Sequence, residues 1–148
     1  MATAKKTASK DTAYEGFSKE ERAAMKEHAA ELKRAADAAD AESDMLAKIA
    51  EMAADDRAMA EKIHAIVKKN APQLTSRLWY GQPAWAKAGK VVLFFQPSAK
   101  FKTRYSTLGF SDEASLDDGD MWATAFALQK LSAADEKRIA ALVKKAAG

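Results

Sequence analysis

Large apolar residues recur with a helical period in the first half of the chain and again near its end. Within 44–52 and 55–70 they lie three or four positions apart: Met45, Leu46, Ile49 and Met52, then Met59, Ile63, Ile66 and Val67. This spacing places them on one side of each of two α-helices. Ser132 begins a last helix, with Asp135 at the capping-box position, and Ile139, Leu142 and Val143 face inward on it.

The preceding segment, 17–43, is helical in composition but has a thin apolar face. Ser18 is followed three positions later by Glu21, which is the pattern of a capping box. Ala, Glu and Lys dominate the segment, and all three favour helices. Because such a helix gains little by burial, we expect an N-terminal helical extension that lies on the surface of the domain or projects from it. Residues 1–16 are small, polar and lysine-rich and predict a disordered tail.

From residue 77 the pattern becomes that of β-strands. Segments 83–87 and 90–96 flank Ala88-Gly89, where glycine supplies the positive φ of a tight hairpin turn. Two more strands are predicted over 103–110 and 124–128, with a short helical turn after Ser111 between them. The order predicts an α+β domain over 44–148, with a small antiparallel sheet of about four strands packed against helices.

Length and composition narrow the class of protein. The 148 residues fit one domain, and the absence of cysteine excludes disulfides and thiol chemistry. The first residues carry no apolar leader, and the longest apolar run, 91–95, is too short to span a bilayer. We therefore expect a cytoplasmic protein, a monomer or homodimer, without a membrane partner. No phosphate-binding loop or nucleophile motif is present, so we do not expect an enzyme.

Charge is unevenly distributed along the chain, although the net charge is only +3. No acidic residue occurs between Glu61 and Asp112, an interval that contains nine basic ones: Lys62, Lys68, Lys69, Arg77, Lys87, Lys90, Lys100, Lys102 and Arg104. Five acidic residues follow within a short stretch: Asp112, Glu113, Asp117, Asp118 and Asp120. This segregation predicts two candidate sites of opposite charge.

The basic interval also contains most of the aromatic residues. Interleaved rings and cations can hold a small anionic or aromatic ligand, or stack bases and neutralise phosphates of a nucleic acid. The candidate ligand-binding residues are Trp79, Tyr80, Trp85, Lys87, Lys100, Lys102, Arg104 and Tyr105. Alternatively, the rings build the core and the lysines protect strand edges from aggregation.

The acidic segment and the two histidines are the other candidates for chemistry. Carboxylates at Asp112, Glu113, Asp117, Asp118 and Asp120 could supply the oxygen ligands of a hard cation, although their spacing does not match an EF-hand loop. The alternative is that they begin a helix and form a turn. We expect His28 to be solvated and His64 to lie partly buried at the rim of the core.

The stretch 78–110 resembles the YdhG-like bacterial proteins, a family largely without assigned function. The matching residues are Trp79, Gly81, Pro83 and Trp85, followed by Lys87 and Gly89 at the turn. Gln82 stands where the family usually has a methionine, so Gln82 and Pro83 join the candidate ligand-binding residues. The resemblance covers roughly 44–147 and implies an α+β fold with a compact sheet.

The resemblance also implies an activity, because one member of the family is described as a frataxin-like iron chaperone. Iron would then be carried by the acidic segment from Asp112 to Asp120. The expected function is a non-catalytic binding or carrier protein, with iron as one cargo. The alternative is a module that binds an anionic ligand or nucleic acid through the basic, aromatic part of the sheet.

Overall fold

The computed structural model describes residues 16–34 and 37–148. Three helices come first: α1 (Lys19–Arg34), α2 (Ala38–Ala50) and α3 (Ala54–Asn70). The strands are β1 (Thr75–Trp79), β2 (Gln82–Lys87), β3 (Lys90–Gln96), β4 (Ser106–Phe110) and β5 (Ala125–Leu128), with α4 (Ser98–Phe101) before β4 and α5 (Ala133–Ala147) at the end. None of the helices in this range is long and apolar enough to cross a membrane. Apart from Gly16, the tail predicted over 1–16 lies outside the described residues.

Polar side chains define where the helices begin. Ser18 and Glu21 form the predicted capping box, in which the Glu21 N–H donates to Ser18 Oγ at 3.0 Å. Ser132 and Asp135 form a second box at the start of α5. Asp37 caps α2 by accepting two backbone N–H groups. Because of this cap, α2 begins at Ala38 and spans position 44, where we had placed the start of this helix.

The sheet confirms the α+β class and has five strands where we expected about four. All neighbours are antiparallel and follow one another in sequence order, β1-β2-β3-β4-β5. The additional strand is β1, which pairs with β2 from Thr75↔Ala86 to Trp79↔Gln82. The strand predicted from position 103 begins only at Ser106, because the preceding residues include the short helix α4.

The helical turn expected after Ser111 does not form. Residues 111–124 contain turns and irregular backbone, in which Ser111 Oγ accepts the Glu113 N–H at 3.1 Å. The same serine is fixed to β3, because its N–H donates to the Val92 carbonyl at 2.9 Å and its hydroxyl donates to the Val91 carbonyl. The segment that begins with Asp112 is therefore tied at its start to the middle of the sheet.

Two hairpin turns carry positive φ at both central residues, as type I′ turns require. Ala88 and Gly89 (φ 51° and 79°) join β2 to β3 at the predicted place. Tyr80 and Gly81 (φ 53° and 76°) join β1 to β2, and the left-handed conformation of Tyr80 costs about 1 kcal/mol. This turn therefore needs support from its contacts with other elements.

One face of the sheet is closed by α2, α3 and α5. Trp85 pairs with Leu93 and Phe95 with Leu108, so these four side chains share this face, and all are fully buried. The helices contribute other fully buried residues to the same cluster: Met45, Ile63, Val67 and Val143. Burial of side chains of this size contributes about 1.5–3 kcal/mol each. This face of the sheet therefore packs into the hydrophobic core.

Candidate functional site

Helix α1 supplies carboxylates to the acid-free part of the chain. Lys102 Nζ lies 2.7 Å from Glu20 Oε1, and Lys100 Nζ lies 2.8 Å from Glu27 Oε2. The first pair is the more exposed and contributes little, because solvent screens it. Two of the predicted ligand-binding lysines are thus paired within the fold, and the charge segregation of the sequence is partly balanced by α1.

Glu31 attaches α1 to the turn between β1 and β2. Its side chain is about nine-tenths buried, and its Oε1 accepts the Gly81 N–H at 2.7 Å. Burial raises the pKa of Glu31, an effect that hydrogen bonds from the backbone of Gly81 and Tyr80 reduce. Its second oxygen, Oε2, is buried and has no hydrogen-bond partner in the described part of the chain. One acceptor of this carboxylate is therefore unsatisfied.

Gly81 also has a packing role at this turn. A Cβ at Gly81 would overlap the side chains of Lys100 and Glu27, whose ion pair lies directly against the backbone there. Lys100 Nζ donates to the Gly81 carbonyl as well, at 3.2 Å. Glycine thus allows both the positive φ and the close approach of this ion pair.

His28 and three aromatic rings form a cluster on the face opposite the core. The His28 and Tyr80 rings stack with centroids 4.0 Å apart, and Trp79 contacts both Tyr80 (5.0 Å) and Phe94 (5.2 Å). Burial, and then the charge of Arg77, lower the pKa of His28, so its ring is neutral at pH 7. Across residues 16–34 and 37–148, His28 Nδ1 has no hydrogen-bond partner; Glu31 Oε2 is 3.9 Å away.

Arg77, on β1, carries a third unsatisfied atom on this face. Its Nε donates to the Leu78 carbonyl at 3.2 Å, while its Nη2 is buried and has no hydrogen-bond partner among the described residues. A buried, unpaired guanidinium nitrogen is unfavourable because its hydration is lost without replacement. Such groups are exceptions in folded proteins, and ligand binding is one reason why they are retained.

Arg77 and His28 line an open cleft of about 320 Å³, which we call the His28–Arg77 cleft. Its complete lining is His28, Arg77, Trp79, Gly89, Val91, Ser111, Asp112 and Glu113. The basic and aromatic side chains come from α1 and β1, and the acidic ones from the segment after β4. The arrangement can therefore hold an anionic group, a planar group and a positively charged group of one small molecule.

Three of the predicted ligand-binding residues are buried beneath the surface instead of lining this cleft. Trp85 is fully buried and donates its indole N–H to His64 Nδ1 at 3.2 Å. Pro83 is fully buried, and the nearly buried Gln82 donates to the Trp79 carbonyl at 3.3 Å. Their roles in the structure are packing and the closure of the turn.

The remaining predicted cations and rings are also absent from the cleft lining. Lys87 Nζ donates to the Ala147 carbonyl at the end of α5. Arg104 lies over the exposed Tyr105 ring, 5.2 Å from its centroid. Of the ten predicted ligand-binding residues, only Trp79 lines the cleft. Sequence reasoning did not select His28 or Arg77, although Arg77 belongs to the basic interval.

The predicted metal-binding residues are divided between different surroundings. Asp112 and Glu113 line the His28–Arg77 cleft, whereas Asp117 lines a neighbouring cavity of about 440 Å³ beside Trp122. Asp118 and Asp120 are exposed. In the part of the chain that the structure describes, no group of three or more His, Asp or Glu side chains is arranged to hold a metal ion. Iron carriage stays a prediction.

Comparison with known proteins adds no precedent for this arrangement. No protein-family model, curated protein or solved structure matches the chain. The resemblance to the YdhG-like family therefore stays a prediction. The geometry and the electrostatics of the His28–Arg77 cleft are the observations that bear on function.

Proposed function

We propose that this protein is a non-catalytic binding protein for a small molecule with an anionic group, and that the ligand binds in the His28–Arg77 cleft. The observation that carries the proposal is the Arg77 guanidinium, which contributes to the cleft wall and leaves Nη2 without a partner. A carboxylate or phosphate matches a guanidinium with two parallel hydrogen bonds. Because Nη2 is closed to solvent, the guanidinium must turn toward the cleft when the anion binds.

The other residues of this wall favour a ligand with a planar part. Trp79 offers a ring beside Arg77, and His28 lines the same cleft. As a neutral ring, His28 can exchange a hydrogen bond with the ligand without adding charge. A volume of about 320 Å³ lies within the range of small-molecule sites.

The pairing of the lysines supports a small ligand over a nucleic acid. Binding of a nucleic acid depends on several cations that neutralise successive phosphates. Lys100 and Lys102 are paired with Glu27 and Glu20 on α1, so a nucleic acid would have to displace these carboxylates. A single anionic group in the cleft requires only Arg77.

Indole-3-propionate, a planar carboxylate, tests the proposal by isothermal titration calorimetry. Arg77→Gln should weaken its binding about ten-fold or more, because a hydrogen-bonded charge pair is lost. Arg104→Gln is the matched control, since it removes the same charge from an arginine outside the cleft. Absence of binding to the unmodified protein, or equal affinity of the Arg77→Gln variant with its fold intact by circular dichroism, would show that the proposal is wrong.

A further inference from the structure

We infer that the ligand of the His28–Arg77 cleft is zwitterionic, with its anionic group at Arg77 and a cationic amine at Asp112 and Glu113. The inference rests on the proposed function and names the class of ligand. It follows from the charges in the cleft lining, which has one side formed by Arg77 of β1 and an acidic wall formed by Asp112 and Glu113 of the segment after β4. Neither charge has a strong partner in the described residues.

The acidic wall, formed by Asp112 and Glu113, is available to bind a cation. Asp112 is exposed and forms no ion pair or hydrogen bond through its carboxylate with another described residue. Glu113 Oε1 lies 3.6 Å from Lys90 Nζ, but the Lys90 side chain is 70% exposed and that of Glu113 is 42% exposed. A pair this exposed is worth little, because both groups remain hydrated. A ligand amine can therefore approach both carboxylates without breaking a strong interaction.

The acidic wall is also held in a fixed position relative to the sheet. Ser111, immediately before Asp112, donates its N–H to the Val92 carbonyl and its hydroxyl to the Val91 carbonyl. Its hydroxyl oxygen in turn accepts the Glu113 N–H. Arg77 and Trp79 belong to β1, which is joined to the same sheet through β2. The backbone of both sides of the cleft is thus fixed, which reduces the entropy lost on binding, and the Arg77 guanidinium is the group that turns.

Opposite charges in the lining of one cleft select against ligands that carry only one charge. A simple anion at Arg77 is repelled by Asp112 and Glu113, and a simple cation at the acidic wall is repelled by Arg77. A ligand with both charges satisfies both walls and is oriented by them. Repulsion of ligands with a single charge then provides the specificity.

Three probes with the same indole ring test the inference by calorimetry: L-tryptophan, indole-3-propionate without the amine, and tryptamine without the carboxylate. L-tryptophan should bind about three- to ten-fold more tightly than indole-3-propionate, as expected for a cation that meets exposed carboxylates. Tryptamine should bind most weakly, because it leaves Arg77 unpaired and is repelled by it.

The double substitution Asp112→Asn and Glu113→Gln separates the two proposals. It should remove the advantage of L-tryptophan and leave indole-3-propionate bound as tightly as before, or more tightly. The matched control, Asp117→Asn with Asp118→Asn, removes two charges from the same segment outside the cleft and should change neither affinity. Arg77-dependent binding of indole-3-propionate with no preference for L-tryptophan would overturn the inference and leave the proposed function standing. Failure of every probe to bind would overturn both.

Discussion

The two histidines lie against opposite faces of one sheet, each beside an aromatic ring, and their hydrogen bonding differs. On the core face, His64 Nδ1 accepts the indole N–H of Trp85 at 3.2 Å, and its Nε2 lies 3.4 Å from Glu42 Oε1. On the other face, His28 stacks on Tyr80 but its Nδ1 has no partner within the described residues. Both ring nitrogens of His64 have partners, whereas Nδ1 of His28 has none among the described residues.

This difference separates a structural site from a candidate binding site. A satisfied polar group beside the core stabilises the fold and leaves nothing for a ligand to add. Around His28, Arg77 also has an unsatisfied atom, and both residues line an open cleft, where a ligand can supply hydrogen bonds. Such an arrangement lowers stability and is retained where binding requires it.

The largest expected effect is on the free energy of unfolding, and it should differ between the tryptophans on the two faces of the sheet. Trp85→Ala should lower the free energy of unfolding by about 3–5 kcal/mol, because it creates a cavity in the core. Trp79 is only partly buried, so Trp79→Ala should lower it by about half as much and should also weaken binding in the cleft. Urea denaturation measures both changes. An equal loss of stability for the two variants would contradict the distinction between the faces.

Local sequence signals predicted much of the fold. The two capping boxes and the Ala88-Gly89 turn depend on residues within a few positions of each other, and all three form. Strand β1 was missed because its sequence, TSRLW, shows no strict alternation and lies next to a turn that begins with tyrosine. Local signals could not predict the position of α1 either, because its contacts are distant in sequence: Glu20 of α1 and its partner Lys102 are 82 positions apart.

The candidate site was less predictable than the fold. The sequence showed that acidic and basic residues are segregated, and Asp112, Glu113 and Trp79 were selected from it. It could not show that Arg77 and His28 have unpaired atoms, because this depends on which groups the tertiary structure brings near them. The burial of Trp85 and the pairing of Lys100 with α1 depend on tertiary packing in the same way.

Protonation of His64 on acidification should lower the free energy of unfolding by a smaller amount. Burial lowers the pKa of His64 from its ordinary value of 6.5, and Lys68 adds to this effect while Glu42 opposes it. Below pH 6.5 the unfolded chain therefore binds a proton more readily than the folded one, and stability falls as the pH falls. Protonation at Nδ1 would also remove the hydrogen bond from Trp85.

Urea denaturation between pH 7.5 and pH 5 measures this dependence. Subtracting the pH profile of a His64→Gln variant isolates the contribution of His64, since the other titrating groups remain. A His28→Gln variant is the control on the opposite face of the sheet. His28 also has a lowered pKa, but its Nδ1 accepts no hydrogen bond from the described residues, so protonation breaks no such bond. An identical pH profile for unmodified protein and His64→Gln would contradict the prediction.

The smallest expected effect concerns Glu31, whose pKa burial raises above its ordinary value of 4.5. The charged carboxylate is thus disfavoured in the folded protein at pH 7, and the unfavourable contribution of Glu31 to stability is removed as the pH falls toward 4.5. Glu31→Gln removes this charge, keeps an oxygen for the Gly81 N–H, and brings an amide that can donate to His28 Nδ1. Its free energy of unfolding at pH 7 should be unchanged or higher by up to about 1 kcal/mol, and this advantage should shrink on acidification.

Glu27→Gln is the matched control, because it removes the same charge one helical turn earlier, where the carboxylate pairs with Lys100 at 2.8 Å. That change should lower stability slightly, since a partly buried ion pair loses one charge. The two substitutions on α1 should therefore differ in sign when both are measured by urea denaturation at pH 7. Equal losses for both would mean that the Glu31 carboxylate is satisfied and anchors α1, and the face opposite the core would then resemble the core face in its hydrogen bonding.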